Sequence, residues 1–140
     1  MKTICGNILS VEIGIIGHQV NCQKIAGSGL ALQIRRKYPG WYKDFISANN
    51  HLSDIHLYEV TDKLAIANLY GQDKIGKGLQ TNYNALFKCL DSLAWISEAN
   101  PELPVYLPYG IGCGLGGGNW LTVERIIQST IPNAILYKKD

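Results

Sequence analysis

Charge is scarce in this sequence. Only 17% of its 140 residues are Asp, Glu, Lys or Arg, and the formal net charge is +2. Such a balance produces no field strong enough to gather nucleic acid or an anionic membrane surface. The most basic run, Arg35-Arg36-Lys37, is too short for a binding patch and reads as a solvated helix face. Cysteine is sparse too. Cys5, Cys22, Cys89 and Cys113 form no CxxC pair and no Cys/His metal spacing, so they read as reduced thiols. No cluster of carboxylates suggests a Mg²⁺ site, and neither metal nor cofactor is expected. No stretch approaches the roughly 18 apolar residues of a membrane span. The start, MKTICGNILSVEIG, has one lysine and no apolar h-region, which argues against a signal peptide. A cytoplasmic, monomeric single domain over residues 1–140 is therefore expected, with no membrane or nucleic-acid partner.

What is present is an alternation of two periodicities. Strands are predicted over Thr3–Leu9, Ile13–Val20, Ile55–Val60, Leu64–Leu69, Val105–Leu107 and Ala134–Tyr137. Helices are predicted between them. The first opens at Gly27-Ser28-Gly29 with Leu30, Ala31, Ile34 and Tyr38 on one face and stops at Pro39-Gly40. Others run over Trp41–Ala48, over Gln80–Ala99 with Tyr83, Leu86, Phe87, Leu90, Leu93 and Ala94 inward, and over Trp120–Ser129. This alternation predicts an α/β fold, a mixed but mostly parallel sheet between two helical layers. Ligands of such sheets bind in the loops beyond the carboxyl ends of the strands.

Two loops with that placement are rich in glycine: Asn21–Gly29 and Gly110–Gly118, where six of nine residues are glycine. Strand-to-helix turns of this kind aim backbone N–H groups and a helix N-terminus at one spot, which favours an anion such as a phosphate. The second loop lacks the Lys-Ser/Thr of a Walker A motif. It is also not the first βα turn of a dinucleotide fingerprint, which carries an acidic residue about 20 positions on.

Together these segments resemble the macro domains. HQVNCQKIAGSGLALQIRRKYP is similar to their first ligand loop, and LPYGIGCGLGGGNW to the loop that embraces the phosphates. IANLYGQ followed by TNYNALFKCL is similar to the middle strand and helix of the branch with ADP-ribose 1″-phosphate phosphatases and terminal ADP-ribose glycohydrolases. Gly6-Asn7-Ile8 matches the family's Gly-Asp-Ile. The resemblance implies a three-layer macro-domain fold that binds ADP-ribose or ADP-ribose 1″-phosphate, with ADP-ribosylated macromolecules as further partners. Asn7 and Ile8 would then meet adenine, Asn7 accepting from its amino group without the usual aspartate charge. Asn21 would meet the distal ribose. Gly27, Ser28, Gly29 and Leu30 would face the diphosphate from one side; Gly110, Ile111, Gly112, Cys113, Gly114, Leu115 and Gly116 would enclose it from the other. Tyr109 would cap the distal ribose.

The glycohydrolase type has a lysine nucleophile near the end of the middle strand and an aspartate in the second loop. Those places hold Gln72 and Gly116 here, and neither can do that chemistry. His18 and Asp73 are the candidate catalytic residues, His18 for acid–base work and Asp73 to orient a water. His51 and His56 read as surface residues, and Lys74 and Lys77 as solvated charge. Three readings follow: hydrolysis of a group on the distal ribose, as a phosphatase or de-ADP-ribosylase; a non-catalytic ADP-ribose reader or sink; and an unrelated phosphate-ligand or RNA-binding module.

Overall fold

The structure, a computed structural model, describes residues 1–139. The apolar run IGIIGHQV needs both faces covered, and it becomes the strand β2 at the middle of the sheet. The elements in chain order are β1 (Lys2–Cys5), a 3-10 turn (Ile8–Ser10), β2 (Gly14–Asn21), α1 (Gly29–Lys37), α2 (Pro39–Ser47), β3 (Ile55–Thr61), β4 (Leu64–Gln72), α3 (Tyr83–Ala99), β5 (Val105–Pro108), α4 (Trp120–Thr130) and β6 (Ile135–Lys138). They form one six-stranded sheet in the order β1-β6-β5-β2-β4-β3. Every pair is parallel except β3 with β4, which the tight turn at Thr61–Lys63 makes antiparallel. This is the mixed, mostly parallel α/β sheet that the sequence predicts.

Alternate residues of β2 serve two cores. Ile16 and Val20 pack with Ile66 and Tyr70 of β4 beneath α1 and α2, through Ile34, Trp41 and Phe45. Ile15 packs on the other face with Leu69 and Leu107, beneath Leu86, Leu90 and Leu93 of α3 and Val123 and Ile127 of α4. Between them Gly17 lets the α3 layer settle on the sheet, since a Cβ there would lie 2.7 Å from the Leu107 side chain.

Several boundaries differ from the sequence expectation, each for a local reason. The first strand ends at Cys5, not Leu9, because Gly6 turns the chain at φ +149° and Asn7 caps the 3-10 turn by accepting from Leu9 N–H. Pro39 does more than stop α1. It is the first residue of α2, where a missing N–H costs nothing. α3 begins at Tyr83 rather than Gln80 because the Asn82 side chain caps it, accepting from Ala85 N–H. Phe87, predicted inward, is exposed on the outer face of α3. No helix is long and apolar enough to cross a membrane among the described residues.

Candidate functional site

The carboxyl ends of β2, β4 and β5 deliver three loops to one side of the sheet, and two cavities lie among them. One, of about 580 Å³, is lined by the β2–α1 loop, the end of β4 and the glycine loop after β5. A second, of about 650 Å³, extends toward Asn7, Ile8 and Tyr137. Gly29, Leu30, Pro108, Tyr109 and Gly114 line both, so the cavities run end to end as one groove.

At the waist of this groove the two glycine loops face each other. The amides of Gly27, Ser28 and Gly29 donate to no protein group among the described residues, nor do those of Gly112, Gly114, Leu115 and Gly116. Rows of free N–H groups on both sides of a cleft are an anion cradle. Cys113 departs from the expectation for this loop. Its N–H is spent on Gly110 O at 2.9 Å and its Sγ–H on Ile111 O, so it offers the groove nothing. Positive φ at Gly110 and Gly112 (+81° and +76°) explains why those two positions are glycine.

The other predicted site residues divide in two. Asn21 lies on the cavity wall but is used internally: its amide accepts from Ile25 N–H and donates to Ile25 O, clamping the β2–α1 loop. Asn7 has one lone pair of Oδ1 engaged by Leu9 and keeps the other, with both amide protons, for the groove. Ile8, Leu30, Ile111 and Gln72 line the groove. Tyr109 stands at the junction of the two cavities, its ring 4.7 Å from that of Trp120. Asp73 does not line either cavity. A register shift at Val20/Asn21 pairs Asn21 with Gln72, after which Cys22 N–H reaches Gln72 O and Asp73 O and draws the chain away from the cleft. The exposed Asp73 carboxylate then faces Cys22, whose thiol is raised by burial and by that charge.

His18 lies on the cavity wall yet is 2% exposed, and its partners are buried with it. Trp41 Nε1–H, which can only donate, lies 2.9 Å from Asn68 Oδ1, and this fixes which end of the Asn68 amide is oxygen. His18 Nε2, 2.6 Å from the same oxygen, must therefore carry a proton. Asn68 Nδ2 donates to His56 Nδ1 at 2.9 Å, so the His56 proton is on Nε2, 3.0 Å from the Asp44 carboxylate. His56 is thus no free surface residue; its side chain is only 16% exposed and ends a chain of contacts from the cavity wall to α2. His51, 79% exposed, is a surface residue. The sequence assigns no role to Asn68, beside Tyr70-Gly71 at the end of the middle strand, or to Lys24. Lys24, at φ +62°, donates from Nζ to Ala48 O and to Tyr70 Oη, pinning the β2–α1 loop to α2.

Comparison with known proteins adds to this geometry. No family model matches the chain. It is 31% identical over 140 residues to an uncharacterized 17.5 kDa protein of Enterobacteria phage T4, from the tk-vs intergenic region, covering 92% of this chain and 88% of that one. That similarity places the two in one family. Among solved structures, a Bacteroides thetaiotaomicron protein of unknown function is 26% identical with a TM-score of 0.86, covering 99% of this chain and 97% of that one. The macrodomain of Thermus aquaticus DarG has a TM-score of 0.82 at 20% identity, covering 99% and 97%. Thermosipho africanus DarTG, solved with ADP-ribose, has a TM-score of 0.80 at 14% identity over 99% of this chain and 42% of that one.

The chain has the macrodomain fold.

At the two positions that the resemblance sets against the lysine and aspartate of the glycohydrolase type, Gln72 and Gly116 are held by their surroundings. A Cβ at Gly116 would lie 2.5 Å from Thr81 Oγ1 and 2.7 Å from Gly112 O, so the loop cannot hold an aspartate there without refolding. Gln72 is engaged by Gln19 Nε2 at 2.8 Å and itself donates to Lys74 O. Gly116→Asp is therefore expected to lower thermal stability and to create no glycohydrolase activity, even combined with Gln72→Lys. Melting curves and a turnover assay on an ADP-ribosylated peptide check both halves of that expectation.

The buried histidine gives the stability of the protein a pH dependence. Burial lowers the His18 pKa to about 4 from 6.5, the Asn68 hydrogen bond acting in the opposite direction. Between these values the unfolded chain binds a proton that the folded one refuses. Stability is therefore full above about pH 6.5 and falls as pH drops toward 4, by about 3 kcal/mol in all. Urea unfolding at pH 7.5 and pH 5 measures the slope. His18→Leu should flatten it.

Proposed function

We propose that this macrodomain binds ADP-ribose. The observation that carries the reading is the waist of the groove, where free amides of Gly27–Gly29 face those of Gly112, Gly114, Leu115 and Gly116 across the cleft. A diphosphate fits the waist by charge and by donor count. Adenine belongs at the Asn7–Ile8 end, and the distal ribose at the end bounded by Asn21 and Gln72. The ADP-ribose held by the structurally similar DarTG supports the same ligand class. The ligand is a free nucleotide or an ADP-ribosyl group carried by a macromolecule.

Calorimetric titration with ADP-ribose tests this directly. Saturable binding at one site per chain is expected; no heat and no competition by ADP would sink the reading.

A second reading, hydrolysis of a phosphate or an adduct from the distal ribose, is favoured by His18, the histidine on the cavity wall. Its chemistry is constrained. With a pKa near 4 the ring is neutral at pH 7, and its one proton is directed at Asn68, so it is not a general acid there. It would act as a weak base through Nδ1. Asp73 would have to act from outside the cavity wall. Turnover that is lost in His18→Ala and retained in Asp73→Ala would establish the histidine route; equal rates in wild type and His18→Ala would remove it.

A further inference from the structure

The cavity that holds Asn21 and Gln72 has an aliphatic mouth. Three side chains from three loops make it: Ile25 between β2 and α1, Ile75 between β4 and α3, and Leu115 in the glycine loop. All three line this one cavity, yet they are 47%, 50% and 73% exposed. A lone aliphatic residue on a surface needs no explanation. Three that converge on one cavity from separate loops form a patch of the kind that a ligand or partner covers.

The backbone holds this mouth in place, and the side chains at the distal end do part of the holding. Asn21 Nδ2 donates to Ile25 O at 3.0 Å, and Asn21 Oδ1 accepts from Ile25 N–H at 3.1 Å. Gln72 Nε2 donates to Lys74 O at 2.8 Å, one residue before Ile75. Leu115 sits at the corner of a turn closed by Gly117 N–H on Gly114 O at 3.0 Å. Gly116 O accepts from Gln80 N–H and Thr81 N–H, which ties that turn to the loop carrying Ile75. These anchors keep the three side chains at the opening, where they cannot retreat into the core.

The order of groups along the ligand says what meets them. With the base at Asn7, the diphosphate at the waist and the distal ribose at Asn21 and Gln72, the next group is whatever C1″ carries. A bare C1″ hydroxyl leaves the aliphatic mouth in water. A hydrocarbon or aromatic group joined there buries it.

We propose that this mouth receives an apolar aglycone, so that the preferred ligand is an ADP-ribosyl group joined through C1″ to an aliphatic or aromatic group. The inference rests on the ADP-ribose reading and chooses between its two forms of ligand, the free nucleotide and the carried group. Ile25, Ile75 and Leu115 supply the preference by burial, and no bond is made or broken.

ADP-ribose and its methyl and benzyl glycosides at C1″, each glycoside as both anomers, separate the possibilities by calorimetric titration. The methyl group blocks the hydroxyl while adding little apolar surface, and the benzyl group adds a ring. In the anomer that binds better, the benzyl glycoside is expected to bind about tenfold more tightly than the methyl. Equal affinity of the two glycosides, or loss of both while ADP-ribose still binds, overturns the inference and leaves the ADP-ribose reading intact. Failure of every probe to bind defeats that reading, and this inference with it. Ile75→Ser combined with Leu115→Ser places polar groups at two exposed positions, and there the advantage of the benzyl glycoside should shrink to about twofold or less. An advantage unchanged from wild type would show that the ring lies elsewhere and would also overturn the proposal. If the double variant does not fold, as its melting curve would show, the wild-type comparison decides alone.

Discussion

Replacing Asn68 by alanine is expected to lower the folding free energy by about 3–5 kcal/mol, because it strands two buried donors at once. The Asn68 side chain is fully buried at the centre of β4, and one oxygen serves both Trp41 Nε1–H and His18 Nε2–H. Trp41 is itself fully buried, stacked on Phe45 at 5.0 Å, and cannot turn outward without opening the layer beneath α2. Packing and polarity are separable here. Asn68→Leu restores the lost volume but not the acceptor, so it should be nearly as unstable as Asn68→Ala. Urea denaturation of both variants measures the difference. Full recovery in the leucine variant would show that the loss came from a cavity, and that the shared oxygen matters little. The amide's far end turns to His56, so the same variants should also loosen the contact between His56 and Asp44 that ties α2 to the sheet.

The second large effect concerns binding. Gly114→Asp should weaken ADP-ribose about a thousandfold while leaving the melting temperature close to that of wild type. Gly114 lines both cavities at the waist, and a Cβ built there meets nothing within 4 Å, so the side chain enters open space without strain. What it brings is a negative charge beside the proposed diphosphate. At roughly 5 Å, and with the effective dielectric of about 20 usual near a protein surface, that repulsion is worth several kcal/mol. Gly114→Ala is the matching control, since it adds volume without charge; its affinity should stay within a few-fold of wild type. A Gly114→Asp protein that still binds ADP-ribose normally would mean that the diphosphate does not lie between the glycine loops. Raising the salt concentration should recover part of the lost affinity, as screening of an exposed charge requires.

These expectations depend unequally on sequence and structure. The two glycine loops were legible in the chain because their signal is local: small residues between a strand and a helix have few other physical uses. The sheet and its two helical layers were legible as well, since the apolar run of β2 and the helical face of Leu86, Leu90 and Leu93 record their own burial. Phe87 misled because it continues that helical pattern while facing outward, and an apolar residue costs little on a surface. His56 misled in the opposite sense. On an antiparallel edge strand, alternate residues point outward, and only the packing of α2 against β3 covers this one.

The polar interior lay wholly beyond the sequence. Gln19 and Gln72 are 53 positions apart and Gln19 and Thr81 are 62 apart, while His18 and Asn68 are separated by 50. No spacing rule relates such residues, because they meet only through the parallel pairing of β2 with β4, which sets His18 beside Asn68. Nor could a residue count reveal that Asp73 is drawn off the cavity wall, since a single register shift at the end of β2 decides it. The sequence by itself determined the α/β layering and the two glycine-rich loops that lead from strand to helix. Only the tertiary structure decided which side chains share the groove and which of their protons are already spent. Periodicity encodes burial along one element, whereas hydrogen-bond valence is settled between elements.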